Sequence, residues 1–576
     1  MQYTFSYEKP HQQYLNISLI LDAKEEDALH FQLPAWRPGR YELSNFAKNI
    51  RSIEARDEKG NLLSVQKKAK DLWKVSCKKS KRVEVTYTYY ANELDAGSTY
   101  LDEDQLYINP VNCLLYEVDR LEKRHELQLE LPADYLIATS LQAKGKHHFQ
   151  AKDYHELADA PLICSANLQM ESYRIEETEF FLCFQGIFKP DWDLLKKHFY
   201  AFTKEQMKFF GGFPTKQYHF LFQILTKSKY HGVEHAASTV IVLGPAYSLL
   251  KKEGRYEDLL GVSSHELFHT WNVKRIRPQE MWPYDYTKEN YTKLGYLTEG
   301  ATTWYGDLML YRSGVFDDEA FFRTFNQLLN RHFNNPGVLN LSVAESSFDT
   351  WLDGYVPGIP NRKASIYTEG ALITFFLDVE IRKATANKKS FDQVLQLFYK
   401  EFYLKGKGIS EENYRETVEE VAAKKMGFIF DHFIYGAKDF SKQLKESLDY
   451  FGLEMSRKPT AFFHESYLGL RLLEEKVFSV FPDSPADRAG FSIGDKPLHI
   501  NGIEIEENLS EWLAYFVGEE VRLGVMRKDA SYLELTLKPS QSQLYYANYE
   551  VSRLKKPNPE QKTAFKVWKA SSQMNA

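Results

Sequence analysis

His265-Glu266-Leu267-Phe268-His269 is the stretch on which the reading of this chain turns, with Glu299 as its companion further on. Residues four apart on a helix share a face, so the two imidazoles can converge on one metal ion. Glu266 lies about 100° around the same helix and can reach a water bound to that ion. A structural reading competes with this one: an amphipathic core helix with Leu260, Leu267 and Trp271 as its buried stripe and both histidines as satisfied polar groups. A third ligand weighs against it. Glu299 stands in residues 297–305, which read as a second helix, and its carboxylate completes a two-histidine, one-glutamate set. Such a set leaves a fourth position open, as in catalytic rather than structural zinc sites. His265, His269 and Glu299 are the expected ligands of one zinc ion per chain, and Glu266 is the expected base of a hydrolytic reaction.

The longer run Ser264-His265-Glu266-Leu267-Phe268-His269-Thr270-Trp271-Asn272-Val273-Lys274-Arg275-Ile276-Arg277-Pro278, followed by Asp285-Tyr286-Thr287-Lys288-Glu289-Asn290-Tyr291 and Thr298-Glu299-Gly300, resembles the glycyl aminopeptidase family of zinc metallopeptidases. That family is related to the aminopeptidase N group but has a longer segment between the second histidine and the third ligand, and the 29 residues 270–298 fit the longer form. The resemblance extends over nearly the whole chain. It implies an α+β multidomain protein with an N-terminal β-sheet domain and a thermolysin-like, mostly helical catalytic domain. It also implies hydrolysis of the N-terminal peptide bond of peptides that begin with a small residue such as Gly or Ala.

Two further segments gain meaning from the resemblance. In related aminopeptidases an edge-strand segment aligns the substrate backbone and its glutamate holds the free amine; Gly232 and Glu234, in His231-Gly232-Val233-Glu234-His235, resemble it. Here Glu-His replaces the Glu-Asn of the aminopeptidase N group. Gly232 would permit close backbone approach. Without the family, this segment reads as a turn with a solvated carboxylate, and His231 and His235 as ordinary polar residues. Ile366-Tyr367-Thr368-Glu369-Gly370 resembles the Tyr-x-x-Gly segment that supplies a transition-state tyrosine, so Tyr367 is the expected oxyanion donor, with Glu369 where lysine is usual.

Charge and composition narrow the field. A chain of 576 residues exceeds one core, and 26% charged residues place it among globular proteins of three or four units. Net charge is −6, and the sequence shows no basic block, which argues against nucleic acid as a partner. Residues 1–8 lack a basic segment leading into an apolar core, and no apolar run is long enough to span a bilayer, so no membrane partner is expected. Four cysteines without metal-type spacing read as free thiols in a reducing cytoplasm, the expected location unless an export signal has been lost.

In chain order, residues 1–170 read as a β-domain, with alternation at 83–89 and 125–131. Pro34-Ala35-Trp36-Arg37-Pro38-Gly39-Arg40-Tyr41 interrupts it as a shaped loop: a packed turn held by Trp36, or a rim of the substrate cleft. Residues 171–454 form the expected catalytic domain, helical from about 255, with stripes at 317–333, 369–381, 391–404 and 411–425. Residues 455–545 resemble a PDZ domain through Tyr467-Leu468-Gly469-Leu470, Ser484-Pro485-Ala486-Asp487-Arg488-Ala489-Gly490 and Ile500-Asn501-Gly502. Such a module captures a peptide C-terminus at a sheet edge, or here serves as an appendage. Residues 546–576 read as a tail with a short helix that starts at Asn558-Pro559 and docks through Phe565 and Trp568. Two other functions share these features: a zinc endopeptidase, and a PDZ-based peptide-binding scaffold with a vestigial metal site.

Overall fold

Apolar and polar residues alternate along the early strands, and each strand therefore has one dry face. A computed structural model describes residues 1–570 apart from 24–25, 78–79, 252–253 and 357; residues 571–576 of the expected tail lie outside the described residues. The largest N-terminal sheet has seven strands in the order Gln142–Gly145, His148–Ala151, His125–Leu129, Gln2–Ser6, Tyr14–Asp22, Arg82–Tyr90 and Ile50–Asp57. All its neighbours are antiparallel except Gln2–Ser6 and His125–Leu129, which run parallel. Buried residues of this sheet, such as Tyr3, Phe5 and Val85, share one core with Phe31 and Trp73 of a second, four-stranded sheet.

The catalytic half starts with a five-stranded sheet of β1 (Gln169–Ile175), β2 (Thr178–Gly186), β3 (Gln217–Ile224), β4 (Lys229–Glu234) and β5 (Ser238–Gly244), ordered β1-β2-β3-β5-β4. Antiparallel β4 is therefore an edge strand. Helix α1 (Trp192–Phe210) packs behind this sheet and donates from Gln206 Nε2 to Ser264 of α2 (Tyr256–Phe268). The helices that follow are α3 (Ala301–Arg312), α4 (Asp318–Phe333) and α5 (Ile366–Ala384), and their buried aromatics Trp304, Phe325 and Phe375 join Leu267 and Phe268 in the main core.

Two boundaries differ from the sequence reading. Glu299 sits in a π-helical turn, Tyr296–Gly300, that leads into α3 instead of in a regular helix. The extra residue per turn lets Gly300 back onto Gly370, where any side chain would collide with backbone. Tyr367 is inside the first turn of α5, which begins before Glu369 because Ser365 caps it by accepting from Thr368 N–H.

Beyond α5 the chain leaves the main core and returns to it. Strand β6 (Leu453–Pro459) pairs with β7 (Ala547–Arg553), and between them lies a unit with its own core, which includes Leu470, Ile500, Leu513, Val521, Leu523 and Val525. The returning β7 meets a ladder that the sequence reading did not anticipate. Asn326 and Asn330 on α4 and Asn334 at its C-terminal cap, spaced one turn apart, accept from the backbone N–H groups of Val551, Tyr549 and Ala547. The ladder satisfies an edge that the sheet leaves unpaired. Helix α6 (Pro559–Lys569) then seats Trp568, fully buried, against Phe451 and Trp304.

Candidate active site

Helix α2 places His265 and Glu266 in its last turn and His269 at its C-terminal cap. His265 Nε2 lies 3.0 Å from His269 Nε2, and Glu299 Oε2 lies 3.3 Å from His269 Nε2 and 4.0 Å from His265 Nε2. Ligand bonds of about 2.0–2.1 Å in a tetrahedral site put donor atoms about 3.3 Å apart, so these three atoms fit a zinc-sized ion. The supporting contacts agree. His269 Nδ1–H donates to Asn272 O over 2.7 Å, which turns Nε2 toward the cleft. Asn272 Nδ2 donates to Leu297 O, Thr298 O and Thr302 Oγ1, tying the loop after α2 to the turn that carries Glu299.

The expected residues converge on one cleft of about 560 Å³, lined by Gly232, Glu234, His265, Glu266, His269, Glu299 and Tyr367. Gly232 faces Glu266, and a methyl group at 232 would overlap its carboxylate. Glu234, only 4% exposed, stands with Glu266 and His269 in a second group of potential ligand atoms. Oε1 of Glu234 and Oε2 of Glu266 have no hydrogen-bond partner among the described residues. His231 and His235 pair with Asp95 and Asp159, at 2.6 and 3.0 Å.

Three buried carboxylates in one cavity dominate its electrostatics. Burial pushes the Glu266 carboxyl well above the usual carboxylate range, and Glu234 and Glu299 add to the shift against the pull of His269. Burial would lower His269, but Glu299 and then Glu234 and Glu266 bring it to about 9. Burial, with His269 beside it, holds His265 well below its ordinary range. A cavity of this kind favours cations.

The 34–41 loop contributes more than its sequence suggested, being packed turn and cleft rim together. Trp36 Nε1 donates to Asp285 O, and its ring packs against Trp351. This fixes Tyr41, whose hydroxyl donates to Glu299 Oε1 over 3.1 Å, and brings Gly39 against the Glu234 carboxylate. Buried Arg37 lies close enough to Glu234 for a favourable charge interaction. Tyr355 stands with Tyr367 in the cleft wall. None of Arg37, Tyr41 and Tyr355 has a spacing signal; they reach the site through tertiary packing.

A His-Glu-x-x-His helix, a carboxylate on the following element and an open sheet edge along one cleft define the protein as a metallopeptidase. Family models agree: residues 2–166 match the Peptidase M61 N-terminal domain, and residues 258–373 match the M61 glycyl aminopeptidase domain. A solved structure of an aminopeptidase N family protein from Idiomarina loihiensis is similar along the whole length, with 25% identity, a TM-score of 0.90 and coverage of 98% of this chain and 99% of that one. An M1 zinc metallopeptidase from Deinococcus radiodurans shares 14% identity at a TM-score of 0.47, over 76% of this chain and 93% of its own. No curated protein matches the chain.

Proposed function

We propose that the chain is a zinc aminopeptidase that removes small N-terminal residues, Gly or Ala, from peptides. The observation that carries this is Glu234: a buried carboxylate with an unpartnered oxygen, in the same cleft as the metal-site atoms. A substrate ammonium would satisfy that oxygen and fix the scissile bond one residue from the terminus.

His265, His269 and Glu299 would hold one zinc ion, which acidifies water and polarises the scissile carbonyl when bound. Glu266 takes the proton from the attacking water and delivers it to the leaving nitrogen; its raised affinity for protons suits this shuttle. Tyr367 donates to the developing oxyanion, a contact worth about 2.7–4 kcal/mol in comparable sites. Burial, with Glu299 and Tyr355 nearby, keeps its hydroxyl protonated. Gly232 leaves the β4 edge free for the substrate backbone.

The proposed domains are 1–170 (β), 171–454 (catalytic), 455–545 (PDZ) and 546–576 (tail). The PDZ assignment draws support from strand Leu470–Leu473, which pairs only with Lys476–Val480 among the described residues and leaves an edge for an added peptide strand. A cytoplasmic location is also proposed, supported by four buried, unpaired thiols. Among the described residues no helix is long and apolar enough to cross a membrane.

Matched peptides with free and acetylated N-termini test the proposal. The zinc-loaded protein should release the first residue of Gly- or Ala-initiated peptides and cut their acetylated forms at least about a hundredfold more slowly, since acetylation leaves Glu234 unpaired. Equal cleavage of acetylated peptides at internal bonds would assign an endopeptidase instead.

A further inference from the structure

The cleft continues past the proposed catalytic residues, and its far end holds an arginine, Arg331, that makes no ion pair among the described residues. Side chains two apart on a strand face the same way, so Glu234, Gly232 and Tyr230 of β4 form a ruler along the cleft they line. At about 3.4 Å per residue, Gly232 at Glu266 lies about 7 Å from the level of Glu234 on one side and of Tyr230 on the other. Around Tyr230 the walls come from Asp258 of α2, Asp307 of α3, and Thr324 and Arg331 of α4.

Most of the charges at this end are already paired. Asp258 meets Arg255 at 2.8 Å, Glu257 binds Arg323, and Lys229 meets Asp95 at 3.2 Å. Arg331, an exposed residue, is different: among the described residues no carboxylate oxygen lies within 4.0 Å of its guanidinium. Asp307 of the same cleft wall feels its charge, but burial pushes that carboxyl up to about 7, with Thr324 and Arg331 only partly opposing. The Arg331 charge is therefore available to a ligand.

We propose that Arg331 receives a carboxylate carried two residues beyond the scissile bond, so that short peptides with this group, tripeptides with a free C-terminus above all, are the preferred substrate class. The inference rests on the aminopeptidase reading above. With the substrate amine at Glu234 and the scissile carbonyl beside Glu266, an extended peptide advances about 7 Å in two residues and reaches the Tyr230 level at its third. There a guanidinium can take a carboxylate through two parallel N–H donors. The same geometry accepts the side chain of an acidic third residue.

The test compares Gly-Ala-Ala as free acid and as C-terminal amide, and Gly-Ala-Asp-amide with Gly-Ala-Asn-amide, on zinc-loaded wild type and Arg331→Gln. Wild-type kcat/KM should favour the carboxylate member of at least one pair by about tenfold or more. Discrimination in the first pair assigns the terminal group, in the second the side chain. Arg331→Gln should remove that preference and leave the rate on Gly-Ala-Ala-amide unchanged, which also shows the variant to be folded. No discrimination by the wild type, an undiminished preference in the variant, or equal slowing of acid and amide overturns the assignment of Arg331. Cleavage of none of these peptides overturns the aminopeptidase reading itself, and this inference with it.

Discussion

Glu266 and Glu299 are buried glutamates within reach of His269, and single substitutions separate what each does. Glu299 belongs to the set whose nitrogen and oxygen atoms fit a metal ion, and Tyr41 holds its other oxygen. Glu266 points instead toward Gly232 and has an oxygen without a hydrogen-bond partner among the described residues. Glu266→Gln preserves volume and removes the proposed proton shuttle, so hydrolysis should fall by several orders of magnitude while about one zinc per chain is retained. Glu299→Ala should lose metal and activity together. Metal analysis of the two variants beside their turnover checks both outcomes. Full zinc and activity in Glu299→Ala would refute its place as the third ligand.

At the scale of elements, the first turn of α5 and the π-helical turn before α3 are held together by an absence of side chains. Gly300 and Gly370 meet backbone to backbone, and a methyl at 370 would strike the carbonyl of Tyr296. Gly370→Ala should therefore displace the turn that carries Glu299 and lower zinc affinity by about tenfold or more, as loss of a supporting contact does. Tyr367→Phe, three residues earlier in α5, should keep the zinc and lower kcat by about 10²–10³. Zinc titration against a competing chelator distinguishes the two. The α2 motif and the N-terminal strands were legible because each follows a local period, whereas the edge strand with Gly232 and Glu234 was legible only through the resemblance to the family, since by itself the segment reads as a turn. The π turn was not, since it is selected by the close approach of α5. Nor was the asparagine ladder, whose spacing on α4 reads as a solvated face until β7 returns to it. Arg37 and Tyr41 escaped for the same reason: their partners Glu234 and Glu299 are distant in sequence.

Across the whole molecule the N-terminal and catalytic parts are bound by charge as well as by Trp36. Asp159 accepts from Lys274 Nζ at 2.8 Å, His235 Nδ1 at 3.0 Å and Ala236 N–H at 2.8 Å. Burial opposes ionisation of Asp159, but Lys274 and His235 outweigh it and hold the carboxyl well below its ordinary range. A depressed pKa in the fold means stabilisation that is complete above the unfolded value of about 3.9 and is lost as pH falls toward the folded one. This tie should thus persist through mild acid and fail only in stronger acid. Asp159→Asn leaves Lys274 buried without its counter-charge and should cost about 3–5 kcal/mol, read from denaturant unfolding near neutral pH. An unchanged midpoint would show that the tie adds nothing.

The return of the chain to the main core decides how the C-terminal unit can be removed. A chain ended before residue 455 would also lose β7 and α6, uncovering Trp304 and Phe451 and depriving Asn326, Asn330 and Asn334 of the β7 amides they pair with. Such a truncation should aggregate, whatever the unit does for catalysis. Pro459 and Ala547 are directly paired at the ends of β6 and β7, so residues 460–546 can be replaced by a two-residue Asn-Gly turn that suits an antiparallel hairpin. The excised protein keeps β7, α6 and every proposed ligand, base and oxyanion donor. It should be soluble, bind zinc and cleave short peptides within about tenfold of the full chain, because nothing proposed for the reaction lies beyond Tyr367. Unfolding, metal content and kcat/KM measured on the same preparation make the result decisive: a folded, zinc-loaded but inactive protein would place a necessary part of the site in the unit that was removed.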